Sequence, residues 1–117
     1  MSTKNRNPAE DYMVFIEDQP CLYLPTGLLV SEKYKGLSYG ATLLYSIMYY
    51  EVLFASKLDS NGFPFIYFPA NMVCKSLRCS KASANKYTSE LVEAGLLISV
   101  RQGQGLPNRL YVFPVEL

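Results

Sequence analysis

Between Pro69 and Ser89 the chain carries four cations, Lys75, Arg78, Lys81 and Lys86, and no carboxylate. Interleaved with them are Ser80, Ser83, Asn85 and Ser89, side chains that both give and accept hydrogen bonds. A second basic pair, Arg101 and Arg109, brackets the segment "QGQGLPN", whose Gln104 and Asn108 add further amides. Side chains of these kinds hold phosphates and read base edges. A Lys or a backbone N–H meets a phosphate oxygen, an Asn pairs with adenine, and a Lys meets guanine.

Covalent chemistry has less to work with. The sequence contains no histidine, so the usual general base is missing, and the acids form no convincing pair. "SANK" (83–86) matches the S-x-x-K pattern of serine β-lactamases, but its companion motifs are absent and 117 residues are too few for that fold. Cys21, Cys74 and Cys79 are odd in number and lack metal-like spacing. The expectation is therefore no enzyme, no catalytic residue, no cofactor and no metal. Reduced thiols, and the lack of an apolar leader in "MSTKNRNPAEDYM", point to a cytoplasmic protein. The apolar run over 43–54 is too short, and with Glu51 too polar, to span a bilayer, so no membrane is expected as a partner.

The formal net charge of +1 hides an asymmetry. Residues 1–60 carry five Lys/Arg against seven Asp/Glu, and residues 61–117 carry six against three. A near-neutral chain is not a general polyanion binder, whereas a basic patch on one element suits a site-specific one. The bland alternative is a solvated helix face. Against it stands the order of charge along 81–94, where Lys81 and Lys86 come first and Glu90 and Glu93 last. A helix dipole favours the opposite order. A phosphate at the helix N-terminus would resolve the conflict, because Lys81 and the free N–H groups then serve the same anion.

These residues need a scaffold. Residues 1–11 read as a flexible arm, and 12–117 as one domain with half of the whole chain apolar. Two short β runs between 12 and 24, bent at "DQP", are expected to pair. A short helix is expected over 26–34, then a long buried helix from Tyr39 to about Lys57 capped by Ser38. On it Leu44, Ile47 and Met48 should be buried, and Tyr45, Tyr49 and Tyr50 should place rings inside with hydroxyls at the rim. "DSNG" marks a turn before a β segment over 65–68. A helix over 69–77 has Pro69 in its first turn and Met72, Val73 and Leu77 facing the core. A turn over 78–80 leads to a helix over 81–94, capped by Ser80 and ended by Gly95. Its Ala84, Tyr87, Leu91 and Ala94 form the inner stripe, and Ala82, Asn85, Lys86 and Ser89 the outer one. Strands over 96–102 and 109–113 close the chain around a Gly/Pro tip. The order specifies an α+β, mainly α, winged helix-turn-helix with a C-terminal two-stranded wing. Lys75, Arg78, Ser80, Lys81, Ser83, Asn85, Lys86, Ser89, Arg101, Gln104, Asn108 and Arg109 are the candidate DNA-binding residues.

"YKGLSYGATLLYSIM", "CSKASANKYTSELVEAGLL" and "RQGQGLPNRLYV", in this order, resemble the N-terminal domain of the RepA_N-type plasmid replication initiators. The resemblance runs from about Cys21 to Val112. It implies a winged-helix binder of double-stranded DNA at repeated origin sites, often dimeric, with Lys81, Asn85, Lys86 and Arg109 contacting DNA. Such initiators usually continue into a second domain that engages host replication proteins, which implies that this chain is the N-terminal part of a longer initiator. A winged-helix transcriptional regulator or a protein–protein interaction module would share the fold, since fold alone does not fix function.

Overall fold

The computed structural model describes residues 21–55 and 57–116, together with Asn7 and Ala9. The rest of the expected arm, and the β runs expected before Cys21, lie outside the described residues. The described remainder of that expected hairpin, from Cys21 to Leu24, is not in a strand.

The helix expected over 26–34 is split into α1, Gly27–Val30, and a 3-10 turn, Glu32–Tyr34. Ser31 causes the break. Its backbone is extended, and its hydroxyl accepts from the Lys33 N–H at 3.2 Å in place of a helical carbonyl.

The long helix α2 spans Tyr39–Leu53, with Ser38 accepting from the Ala41 N–H as its N-cap. It stops about one turn before the expected end. Asp59 explains the early stop: its carboxylate accepts from the N–H groups of Asn61 and Phe63, each at 2.9 Å. That turn pairs Leu58 with Pro64 and draws Lys57 into a hydrogen bond with the Phe65 N–H, so the chain after α2 must extend. Leu44, Tyr45 and Met48 are almost wholly buried, as expected, whereas Ile47 is only half-buried on the flank of the core. The Tyr45 hydroxyl reaches the Phe113 carbonyl at 2.6 Å, and burial pushes its pKa up to about 12, with Tyr49 adding to the effect.

Helix α3, Ala70–Leu77, begins after Pro69, which occupies the N-cap position rather than the first turn. Its core stripe is Val73 flanked by Cys74 and Leu77, and Met72, a step around the helix from Val73, is exposed. Helix α4, Lys81–Glu93, ends in a Schellman arrangement at Gly95, where φ is +76° and the Leu96 N–H reaches back to the Leu91 carbonyl. Strands β1, Leu97–Val100, and β2, Arg109–Val112, pair antiparallel with Leu97 opposite Val112. The β segment expected over 65–68 is reduced to one bridge, Ile66 with Leu110, while the neighbouring Phe65 N–H turns the other way to the Lys57 carbonyl. Leu91, Leu96, Leu97, Val73 and Ala84 close the core against α2.

Helices α2 and α4 are locked at two points. The Tyr87 ring lies so close to Gly40 that a Cβ there would sit 2.2 Å from its Cζ. Glu90 accepts from both the N–H and the hydroxyl of Ser38, each at 2.8 Å. A carboxylate late in α4 is therefore the partner of the positive N-terminus of α2. Glu90→Ala should cost about 1–3 kcal/mol by stranding both donors. Urea denaturation checks it, and a loss under about 0.5 kcal/mol would mean that water replaces the carboxylate without penalty.

Candidate nucleic-acid interface

Eight residues of α3, the turn Arg78–Cys79–Ser80 and thirteen residues of α4 make the helix-turn-helix. The turn is closed by the Cys79 N–H bonding to the Cys74 carbonyl at 3.2 Å. It forces Arg78 into the left-handed region, φ 52°, alone among the described non-glycine residues. The thiols of Cys74 and Cys79 are half-buried beside the turn, and burial, with Cys74 second, pushes the Cys79 thiol above its ordinary value. Both act as packing groups there.

Ser80 is spent on capping. Its hydroxyl accepts from the Ser83 N–H and donates to the Ser83 hydroxyl, both at 3.1 Å. The inner stripe of α4 is as expected, with Ala84 and Leu91 buried and Tyr87 and Ala94 half-buried. Lys81, Ala82, Asn85, Lys86 and Ser89 are exposed on the outer face, as are Lys75 and Arg78 before it. Among the described residues, no carboxylate forms an ion pair with Lys75, Arg78, Lys81, Lys86 or Arg101. The ion pairs among the described residues, Lys33 with Glu116 and Lys35 with Glu32, lie elsewhere.

The wing stands beside this face. Asn85 and Thr88 of α4 line one cleft with Ser99, Pro107 and Asn108 of the wing and Pro69 before α3. Asn108 donates to the Ser99 hydroxyl at 3.1 Å, which fixes its amide at the cleft wall. Arg101, Gln104 and Asn108 border a second hollow at the tip with Gly103 and Leu106. Arg109 is placed differently. Its Nε donates to Gln102 at 2.8 Å, and its guanidinium lies 4.6 Å from the Phe65 ring centroid, so it is engaged at the base of the wing. The structure thus brings Asn85 and Asn108 together, and sets Arg101 and Gln104 apart at the tip. Thr88 and Ser99 border the cleft, and Gln102 bonds Arg109 and the Pro107 carbonyl, without having stood out in the sequence. The signal for Gln102 was its place inside the Gly/Pro tip, a short span from Pro107.

The sequence from residue 21 to 117 matches the family described as "Replication initiator protein A (RepA) N-terminus". The chain belongs to this family. Similar solved structures share its fold. One is described as "N-Terminal domain of DNA binding protein", with TM-score 0.77 and 24% identity over 99% of this chain and 87% of that one. Another, "Structure of Rep-DNA complex", has TM-score 0.77 and 24% identity, covering 97% of this chain and 86% of the other. A third, "Structure of MDR initiator", has TM-score 0.74 and 22% identity, covering 97% and 88%. A comparison with curated proteins gives no match. The winged helix-turn-helix expected from the order of elements is therefore the fold of this initiator domain. Among the described residues no helix is long and apolar enough to cross a membrane.

Proposed function

We propose that this RepA N-terminal domain binds double-stranded DNA sequence-specifically at repeated sites of a plasmid replication origin. The observation that carries the reading is the outer face of α4: exposed, basic in its first half, clear of carboxylate partners, and continuous with the cleft under the wing. In this reading α4 enters the major groove and the wing lies along the adjacent backbone. The domain acts in the cytoplasm, without enzymatic activity, as a homodimer on repeated half-sites. Its contacts with host replication proteins would be made through a further domain.

The test is fluorescence anisotropy with duplexes carrying direct repeats from the origin, and with scrambled duplexes, over a salt series. The repeat duplex should bind far more tightly. Equal affinity for both would overturn sequence specificity. A repeat found only in a promoter would favour a transcriptional regulator instead. Lys81, at the first turn of α4, should meet a phosphate. Lys81→Ala should weaken both duplexes alike and lower the slope of log K against log salt by about one unit.

Arg78 offers a sharper discrimination. Its left-handed backbone costs about 1–2 kcal/mol relative to glycine, which would be at ease there. Arg78→Gly should therefore raise stability by about 1 kcal/mol while weakening duplex binding. Thermal denaturation beside anisotropy checks both signs, and unaltered binding would remove Arg78 from the interface.

A further inference from the structure

Gln102 stands half-buried where β1 gives way to the wing loop. Its amide makes contacts in three directions. Nε2 donates to the Pro107 carbonyl at 2.7 Å and to the Tyr67 hydroxyl at 3.3 Å, and Oε1 accepts from Arg109 Nε at 2.8 Å. The amide can sit only this way round. Reversed, its oxygen would face the Pro107 carbonyl and its NH₂ group would face the guanidinium.

One side chain thus joins the two ends of the loop and ties both to the sheet. The anchors are themselves held. The Arg109 guanidinium rests over Phe65, Lys57 Nζ lies 4.4 Å from the Tyr67 ring centroid, and Phe65 and Tyr67 meet edge to face. The loop has little stiffness of its own. Gly103 and Gly105 take φ of 108° and 71°, and the one backbone bond across the tip, Leu106 N–H to the Gly103 carbonyl, is long at 3.3 Å. The second tie, Asn108 to Ser99, secures only the returning side.

We infer that Gln102 is a positioning residue for DNA binding: it clasps the wing to the Arg109–Tyr67 base and so fixes where Arg101 and Gln104 stand relative to α4. This deepens the proposed function and rests on it. Arg109 then acts through Gln102 rather than on a phosphate. A clasped loop meets the duplex already ordered, whereas a free one must lose its mobility on binding.

Gln102→Met keeps the length of the side chain and removes every hydrogen bond. In the DNA-free protein, ¹⁵N relaxation should show order parameters at Gly103–Leu106 falling from values near about 0.8 to below about 0.6. The thermal midpoint should fall only modestly, because the stranded Arg109 and Tyr67 groups are half-buried, within reach of water, and the loop itself lies outside the core. Duplex affinity should fall about three- to tenfold, with the preference of α4 for its own sequence unchanged. The loss should vanish when Arg101 and Gln104 are already alanine, because the clasp works through them. Unchanged order at the tip overturns the clasp. An undiminished loss in the alanine background also overturns it, since Gln102 would then touch DNA directly. A parent that binds no duplex would sink the DNA reading, and the relaxation data, which need no DNA, would still decide the clasp.

Discussion

Leu44→Ala should destabilise the domain by about 2–5 kcal/mol. Leu44 is wholly inaccessible in the middle of α2, within the cluster that also holds Tyr45, Met48, Val73 and Leu91. The substitution removes buried apolar atoms and leaves a cavity, and the penalty depends on how far the neighbours can collapse into it. Collapse is hindered because α2 is pinned to α4 by the Gly40–Tyr87 contact and the Ser38–Glu90 bonds. The expectation therefore lies toward the upper part of that range. Set against a total stability of about 5–15 kcal/mol, such a loss is severe. Urea denaturation should show a lower midpoint with an unaltered slope, since the surface exposed on unfolding hardly changes. A loss under about 1 kcal/mol would mean that the core does not close around this residue.

The second large effect concerns specificity. Asn85 and Lys86 project side by side from the exposed face of α4, and Asn85 also borders the cleft under the wing. An Asn can pair bidentately with adenine and a Lys can meet guanine N7 and O6, each such contact carrying about 1–3 kcal/mol of discrimination. Replacing both with Ala should close the gap between repeat and scrambled duplexes by about two orders of magnitude. Binding to the scrambled duplex should change much less, because its affinity should come chiefly from phosphate contacts such as the one proposed for Lys81. Anisotropy with both duplexes at one salt concentration separates the effects. If the double variant still prefers the repeat as strongly as the parent does, α4 is not the reading element.

Much of this architecture was legible before any coordinates. Ser38 and Ser80 cap the helices they were expected to cap, and Gly95 ends α4 in the left-handed conformation that only glycine adopts freely. These are local signals, readable from a few residues. The inner stripe of α4 was legible for the same reason, because a regular period survives inside a single helix. The errors have the opposite origin. Tyr39–Leu53 is apolar almost all round, so its pattern carried no mark of where it would stop. The stop is set by the carboxylate of Asp59, which builds a turn with Asn61 and Phe63. Met72 and Val73 are equally apolar neighbours, and only the tertiary setting of α3 decides which is buried. In the candidate interface, exposure of Lys81, Asn85, Lys86 and Ser89 followed from helical geometry. The engagement of Arg109 did not, because Phe65 and Gln102 reach it from separate segments. Glu90 shows the same limit: its lateness in α4 suggests a misplaced charge until the N-terminus of α2 is seen beside it.

The contact of Gly40 with the Tyr87 ring carries a consequence for sequence divergence. A methyl group at 40 would overlap the ring outright, so position 40 cannot enlarge while Tyr87 keeps its ring there. Across relatives that keep this helix crossing, position 40 should stay small wherever 87 is aromatic, and should enlarge only where 87 shrinks. The pair would then appear as a coupled substitution, although neither residue belongs to the outer face of α4. Because Tyr87 lies on the inner stripe of the same helix that carries Asn85, Lys86 and Ser89 outside, a shift at this crossing would turn the outer face of α4 as a body. In the proposed reading, such a core exchange would re-aim Asn85, Lys86 and Ser89 at a duplex without altering any of them.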